Sequence, residues 1–132
     1  MTPLSVGVDL VELDRIERAV DRHGERFLER IYTPEELARY RQRLPELAAR
    51  FAAKEAVSKC FTTGIGEALG WKSIEVVKGD REEPLIRLDE RGLALMQQLG
   101  ANDVLVSLSH TANYGLATAV LVARPEQPES LS

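Results

Sequence analysis

The chain has 132 residues, 44% hydrophobic and 29% charged, with a formal net charge of -4. That is enough for one soluble globular domain with its own core. No run of basic residues offers the concentrated positive face that nucleic acid requires, no apolar stretch is long enough to span a membrane, and a single cysteine, Cys60, excludes an internal disulfide.

The N-terminus MTPLSVGVDLVELDR lacks the charged and then apolar pattern of a signal peptide, so the expected location is the cytoplasm. Within it, SVGVDLV (5–11) is β-branched and apolar and predicts a buried strand. A helix follows, with Asp14 and Glu17 at capping-box spacing and Gly24 as its stop. RFLERIY (26–32) predicts a short helix. Thr33, Pro34 and Glu36 form a strong start signal for a helix to about Leu44. Pro45 interrupts, and a long helix is expected from Glu46 to Phe61, closed by TTGIG.

The second half alternates like strands at KSIEVVK (72–78) and PLIRL (84–88), joined by a turn at GDREE. Asp89 can cap a helix from Glu90 to Leu99, with Gly100 ending it. DVLVSLS (103–109) and YGLATAVLVA (114–123) predict two more strands around HTAN. The order β-α-α-α-β-β-α-β-β, with two hairpins, predicts an α+β fold with an antiparallel sheet packed on a long central helix. Residues 1–123 form the single expected domain. The polar, Pro-containing tail 124–132 is expected to be disordered.

Two carboxylates draw attention. On the long helix, a 100° advance per residue puts Ala52, Ala53, Ala56, Val57, Cys60 and Phe61 on a buried arc. Phe51, Glu55 and Lys59 form a column on the other side, flanked by Lys54 and Ser58. Glu55 and Lys59 have the favoured spacing of a surface ion pair, worth a few tenths of a kcal/mol. Asp9 points elsewhere. It interrupts an apolar strand, where a carboxylate is disfavoured and costly to bury. It could accept backbone hydrogen bonds at a strand end. Alternatively, Asp9 and Glu55 could hold Mg²⁺, which typically takes one or two carboxylates and keeps substrate phosphates and water as further ligands. Lys59 would then meet a phosphate oxygen.

VGVDLVELDRI and RFAAKEAVSKCFTTGIG resemble the two signature motifs of the holo-[acyl-carrier-protein] synthases, the short single-domain branch of the 4'-phosphopantetheinyl transferases. VLVSLSHTANYGLATAVL resembles that family's last strand pair, so the likeness runs from about residue 5 to 123. The resemblance implies transfer of the 4'-phosphopantetheine arm of coenzyme A to a serine of an apo acyl carrier protein, and a homotrimer with sites between subunits. It implies Asp9 and Glu55 as Mg²⁺ ligands, Lys59 as a phosphate contact, and His110 beside the coenzyme A phosphates. Glu55 is the candidate base, directly or through water. Gly64 and Gly66 would let the turn after the long helix approach the nucleotide, and Arg50 would lie near coenzyme A.

Each of these residues also has an ordinary reading. His110 can bond its own turn, TTGIG can be only a helix stop, and Arg50 can be an outward-facing ion pair. On the first helix, Arg15, Arg18 and Arg22 form a stripe, with Arg26 in line if the helix continues. Such charges are most often a solvated face. The functional reading makes Arg15, Arg22 and Arg26 a contact for the acidic carrier protein, which a chain of net negative charge would otherwise repel, and Arg15 matches an arginine that the resembled family uses for it. One departure stands out: where the family often has Gly-Lys-Pro, this chain has Glu82-Glu83-Pro84. The competing readings are a non-catalytic carrier-protein-binding module and a Mg²⁺-dependent nuclease.

Overall fold

The computed structural model describes residues 1–125, so most of the tail expected to be disordered lies outside the described residues. The elements run β1 (Thr2–Glu12), α1 (Leu13–His23), α2 (Glu25–Ile31), α3 (Pro34–Tyr40), α4 (Leu44–Cys60), β2 (Ile74–Lys78), β3 (Pro84–Leu88), α5 (Glu90–Gln98), β4 (Asp103–His110) and β5 (Tyr114–Ala123). A single 3-10 turn, Trp71–Ser73, leads into β2. Four helices, one more than the predicted order counts, lie between β1 and β2, because α3 and α4 are separate on either side of residues 41–43; the rest of the order holds, and the strands form two antiparallel sheets, β1-β5-β4 and β2-β3.

Several boundaries shift for local reasons. α1 starts at Leu13, with Glu12 at the cap position and no side-chain cap, so Asp14 lies inside the helix. Gly24, at φ 56, ends α1 and separates it from α2. The Thr33–Glu36 capping box forms as predicted, with Pro34 in the first turn. α3 stops at Tyr40, and Pro45 opens α4 because its missing N–H costs nothing in a first turn.

α4 is buried on almost every side, not on one arc. Phe51, Lys54 and Ser58, expected on or beside the outer column, are all inside. The three-stranded sheet lies against it through small residues. Ser5, Gly7, Asp9 and Val11 of β1 face the helix, as do Gly115, Ala117, Ala119 and Leu121 of β5. A Cβ on Gly7 would fall 2.1 Å from the Ala56 carbonyl oxygen, and one on Gly115 would fall 2.7 Å from the Ala48 carbonyl carbon. Helix and sheet backbones therefore touch.

β1 is not the buried strand predicted from its composition. Its large apolar residues point away from α4: Val6 is 71% exposed, Val8 53% and Leu10 58%. The inward positions are taken by Ser5, Gly7 and Asp9, with Val11 buried at the end of the strand. The strand's alternation is real, and its apolar side is the uncovered one.

Lys54 is fully buried and paired with buried Glu36 at 2.8 Å. Its ammonium also donates to the carbonyls of Trp71 (3.1 Å) and Ile74 (2.6 Å). Glu36 accepts from the backbone N–H groups of Thr33 and Val76 as well. One ion pair thus joins α3, α4 and β2. Burial pulls the lysine pKa down, against the pull of Glu36.

Two stability outcomes follow from these contacts. Gly7→Ala forces β1 away from α4 and should cost about 1–3 kcal/mol in urea unfolding. Lys54→Met leaves Glu36 buried without its counter-charge and should cost about 3–5 kcal/mol, with part recovered in the Glu36→Gln/Lys54→Met double variant.

Candidate active site

Asp9, Glu55 and Lys59 come together where β1 crosses α4. Gly7 allows the crossing, and two positions later the strand turns Asp9 toward the helix. The Lys59 ammonium donates to the Val8 carbonyl (2.9 Å) and to an Asp9 carboxylate oxygen (3.2 Å). The lysine bridges helix and strand, so the pairing of Glu55 with Lys59 along the helix does not form. Among the described residues, the Glu55 carboxylate has no hydrogen bond or salt bridge.

Partial burial raises the Glu55 pKa, the negative charge of Asp9 raises it further, and Lys59 and Arg15 oppose both. Two carboxylates that repel each other, one of them without a partner, suit a divalent cation. No group of three or more His, Cys, Asp or Glu side chains is placed to hold a metal among the described residues. A cation here would draw its other ligands from substrate and water, as Mg²⁺ ordinarily does.

Arg50 and His110 belong to a second cluster. Arg50 does not face outward: it is 6% exposed, stacked 3.8 Å from the centre of the Tyr40 ring. Its guanidinium pairs with Glu46 at 2.8 Å, and His110, at the end of β4, meets the other Glu46 oxygen at 3.3 Å. Glu46 and Glu55 are nine positions apart on α4, so the two clusters are separated by about 14 Å along the helix. One chain alone does not bring His110 to Asp9.

The turn after α4 holds Gly64 at φ 66, a conformation that favours glycine, and leaves the space over both Gly64 and Gly66 open. Arg15, Arg18 and Arg22 line an open groove of about 660 Å³ along α1 with Ala19, Asp21 and His23. Arg15 reaches inward as well, 5.4 Å from the Phe51 ring. Arg26 is not in line with the stripe, because Gly24 breaks the helix and places it on α2.

Residues 5–119 match the model of the 4'-phosphopantetheinyl transferase superfamily. The chain belongs to this superfamily. Among its relatives, the holo-[acyl-carrier-protein] synthase of Shewanella amazonensis is 41% identical over 124 residues, covering 92% of this chain and 99% of that protein. The synthase of Chlamydia trachomatis is 43% identical over 118 residues, covering 87% and 96%. The Helicobacter pylori synthase, solved in complex with coenzyme A, superposes with a TM-score of 0.81 at 33% identity, over 88% of this chain and 98% of that one. The Neisseria meningitidis enzyme gives 0.84 at 33% identity, over 92% and 98%. The α+β fold is thus that of the phosphopantetheinyl transferases, and the likeness to holo-[acyl-carrier-protein] synthases extends over most of the chain.

The sequence reading missed Glu46, the acid that joins Arg50 to His110. Its spacing four residues before Arg50 was the available signal. It also missed the burial of Lys54, which helical periodicity places near the surface.

Proposed function

We propose that this chain transfers the 4'-phosphopantetheine arm of coenzyme A to a serine of an apo acyl carrier protein, with Mg²⁺, in the cytoplasm. The observation that carries the reading is the convergence of Asp9, Glu55 and Lys59 in a chain similar to holo-[acyl-carrier-protein] synthases over almost their full length. Solved relatives from Helicobacter pylori and Bacillus anthracis, both complexed with coenzyme A, support it as the donor. No described helix is long and apolar enough to cross a membrane.

In this mechanism Asp9 and Glu55 would hold the cation. When bound, Mg²⁺ supplies positive charge against the phosphate oxygens on which negative charge grows. Lys59 shares its ammonium between Asp9 and the pyrophosphate, adding a second positive group on that side. The serine hydroxyl attacks the phosphorus that carries pantetheine. A serine O–P bond forms, the phosphoanhydride O–P bond breaks, and the electron pair leaves with adenosine 3',5'-bisphosphate. Glu55 takes the serine proton, directly or through water. Gly64 and Gly66 leave room for the nucleotide beside the end of α4.

The basic groove of α1 is the docking surface for the acidic carrier protein, through Arg15 and Arg22, with Arg26 contributing from α2. The working assembly is a homotrimer with sites between subunits. Two observations support this: the uncovered apolar row of β1, and the separation of His110 and Arg50 from Asp9 within one chain. A neighbouring subunit can supply the second cluster.

Intact mass of an apo acyl carrier protein incubated with this protein, coenzyme A and Mg²⁺ tests the reaction. The carrier should gain one phosphopantetheine arm. Asp9→Ala and Glu55→Ala should each slow the gain at least about a hundredfold while circular dichroism stays native, and a chelator should stop it. A folded protein that modifies no carrier would leave only a binding role. For the assembly, Val8→Lys should convert a trimer to monomers by light scattering and abolish transfer. An unchanged mass would reject the β1 face as the interface.

A further inference from the structure

The pocket around Arg50 and His110 contains a third basic side chain and two acids that engage all three. It has a volume of about 340 Å³, and Lys78 and Glu82 complete its charged lining. Glu46 holds Arg50 and His110, and Glu82 holds Lys78 at 2.7 Å. Beneath them lies the buried Tyr40 ring, with the Arg50 guanidinium 3.8 Å and the Lys78 ammonium 6.0 Å from its centre. One aromatic ring is thus within reach of two like charges, which favours keeping them in the same pocket. The Arg50 Nε is buried with no hydrogen-bond partner among the described residues. The pocket has the inventory of a phosphate site, and its cations are taken by carboxylates.

Glu82 is the unusual member. Its backbone sits at φ 65, in the left-handed region where a residue with a side chain is strained. Such strain persists where surrounding structure maintains it. Here the tight turn between β2 and β3 is closed by the Gly79 N–H donating to the Glu83 carbonyl and the Glu82 N–H donating to the Gly79 carbonyl, and the Glu82 carboxylate folds back onto Lys78. That hydrogen bond holds the Lys78 pKa up and the Glu82 pKa down.

We propose that Glu82 sets the affinity of this pocket for a phosphate group of coenzyme A: its carboxylate occupies Lys78 in the phosphate's stead and is displaced when coenzyme A binds. The inference rests on coenzyme A being the substrate. Lys78 is then a substrate-binding cation alongside Arg50 and His110, and Tyr40 is a positioning residue beneath them. Displacing the carboxylate weakens binding twice, by breaking an ion pair and by leaving a negative charge near the incoming phosphate.

Calorimetric titration of the full-length protein with coenzyme A tests this, using wild type, Glu82→Gly, Glu82→Gln, and Glu82→Gln in a Lys78→Ala background. Both single variants should bind coenzyme A about two- to fivefold more tightly at low salt, with the gain shrinking as salt rises. The KM for coenzyme A should fall in the same proportion, and the gain should vanish in the Lys78→Ala background. Glu82→Gly should also raise the melting temperature by relieving the backbone, whereas Glu82→Gln should not, which separates strain from charge. Unchanged or weaker affinity in both single variants overturns the proposal, as does a gain that survives Lys78→Ala. A wild-type protein that binds and transfers while ignoring position 82 overturns this inference alone. One that binds no coenzyme A overturns the reading of the substrate, and the inference with it.

Discussion

The contact between α4 and the three-stranded sheet is made backbone to backbone, and most of the molecule is arranged around it. Gly7 and Gly115 lie at the two points of closest approach, and alanines fill the helix between them. Burying small side chains contributes little area per residue, but it brings main chains close enough for dense van der Waals packing. It also leaves no slack. Asp9 sits two residues beyond Gly7, and Glu55 precedes Ala56, the residue that Gly7 touches. The spacing of the two carboxylates is therefore tied to a contact that cannot widen without loss of packing.

This explains the odd composition of β1. Where the strand touches the helix, at Gly7, there is no room for a side chain, so the inner row runs Ser5, Gly7 and Asp9 before its first large residue, Val11. The large residues go to the outer row. The Asp that seemed to interrupt an apolar run is in register with its own row, and that row is partly polar. The uncovered Val6, Val8 and Leu10 are the expense of that arrangement, and a face of this kind ordinarily marks an interaction surface.

The sequence was most legible where local chemistry acts alone. The Thr33 capping box, the Asp89 cap, the glycine stops and the strand alternation all formed as read, because each depends on groups a few residues apart. It was least legible where distant elements decide. Periodicity sent Lys54 toward the surface, and only Glu36 with the carbonyls of Trp71 and Ile74 allows it to be buried. Arg50 was read as outward, yet Tyr40 and Glu46 enclose it. In the candidate site, Asp9, Glu55 and Lys59 were found as a group. Their wiring was not, since Lys59 prefers the strand's Asp9 to the Glu55 on its own helix. Nothing local in the chain announces that choice.

The Glu36–Lys54 pair has an implication for how such a chain can change over generations. Glu36 closes the cap of α3, accepts from β2 and meets the lysine of α4, so each partner is unaffordable without the other. A lineage that abandons one must pass through a form worse than either end, unless both positions change together. Positions 36 and 54 should therefore drift as a unit, and slowly. The exposed charges of α1, whose surface ion pair is worth little, are free to turn over one at a time.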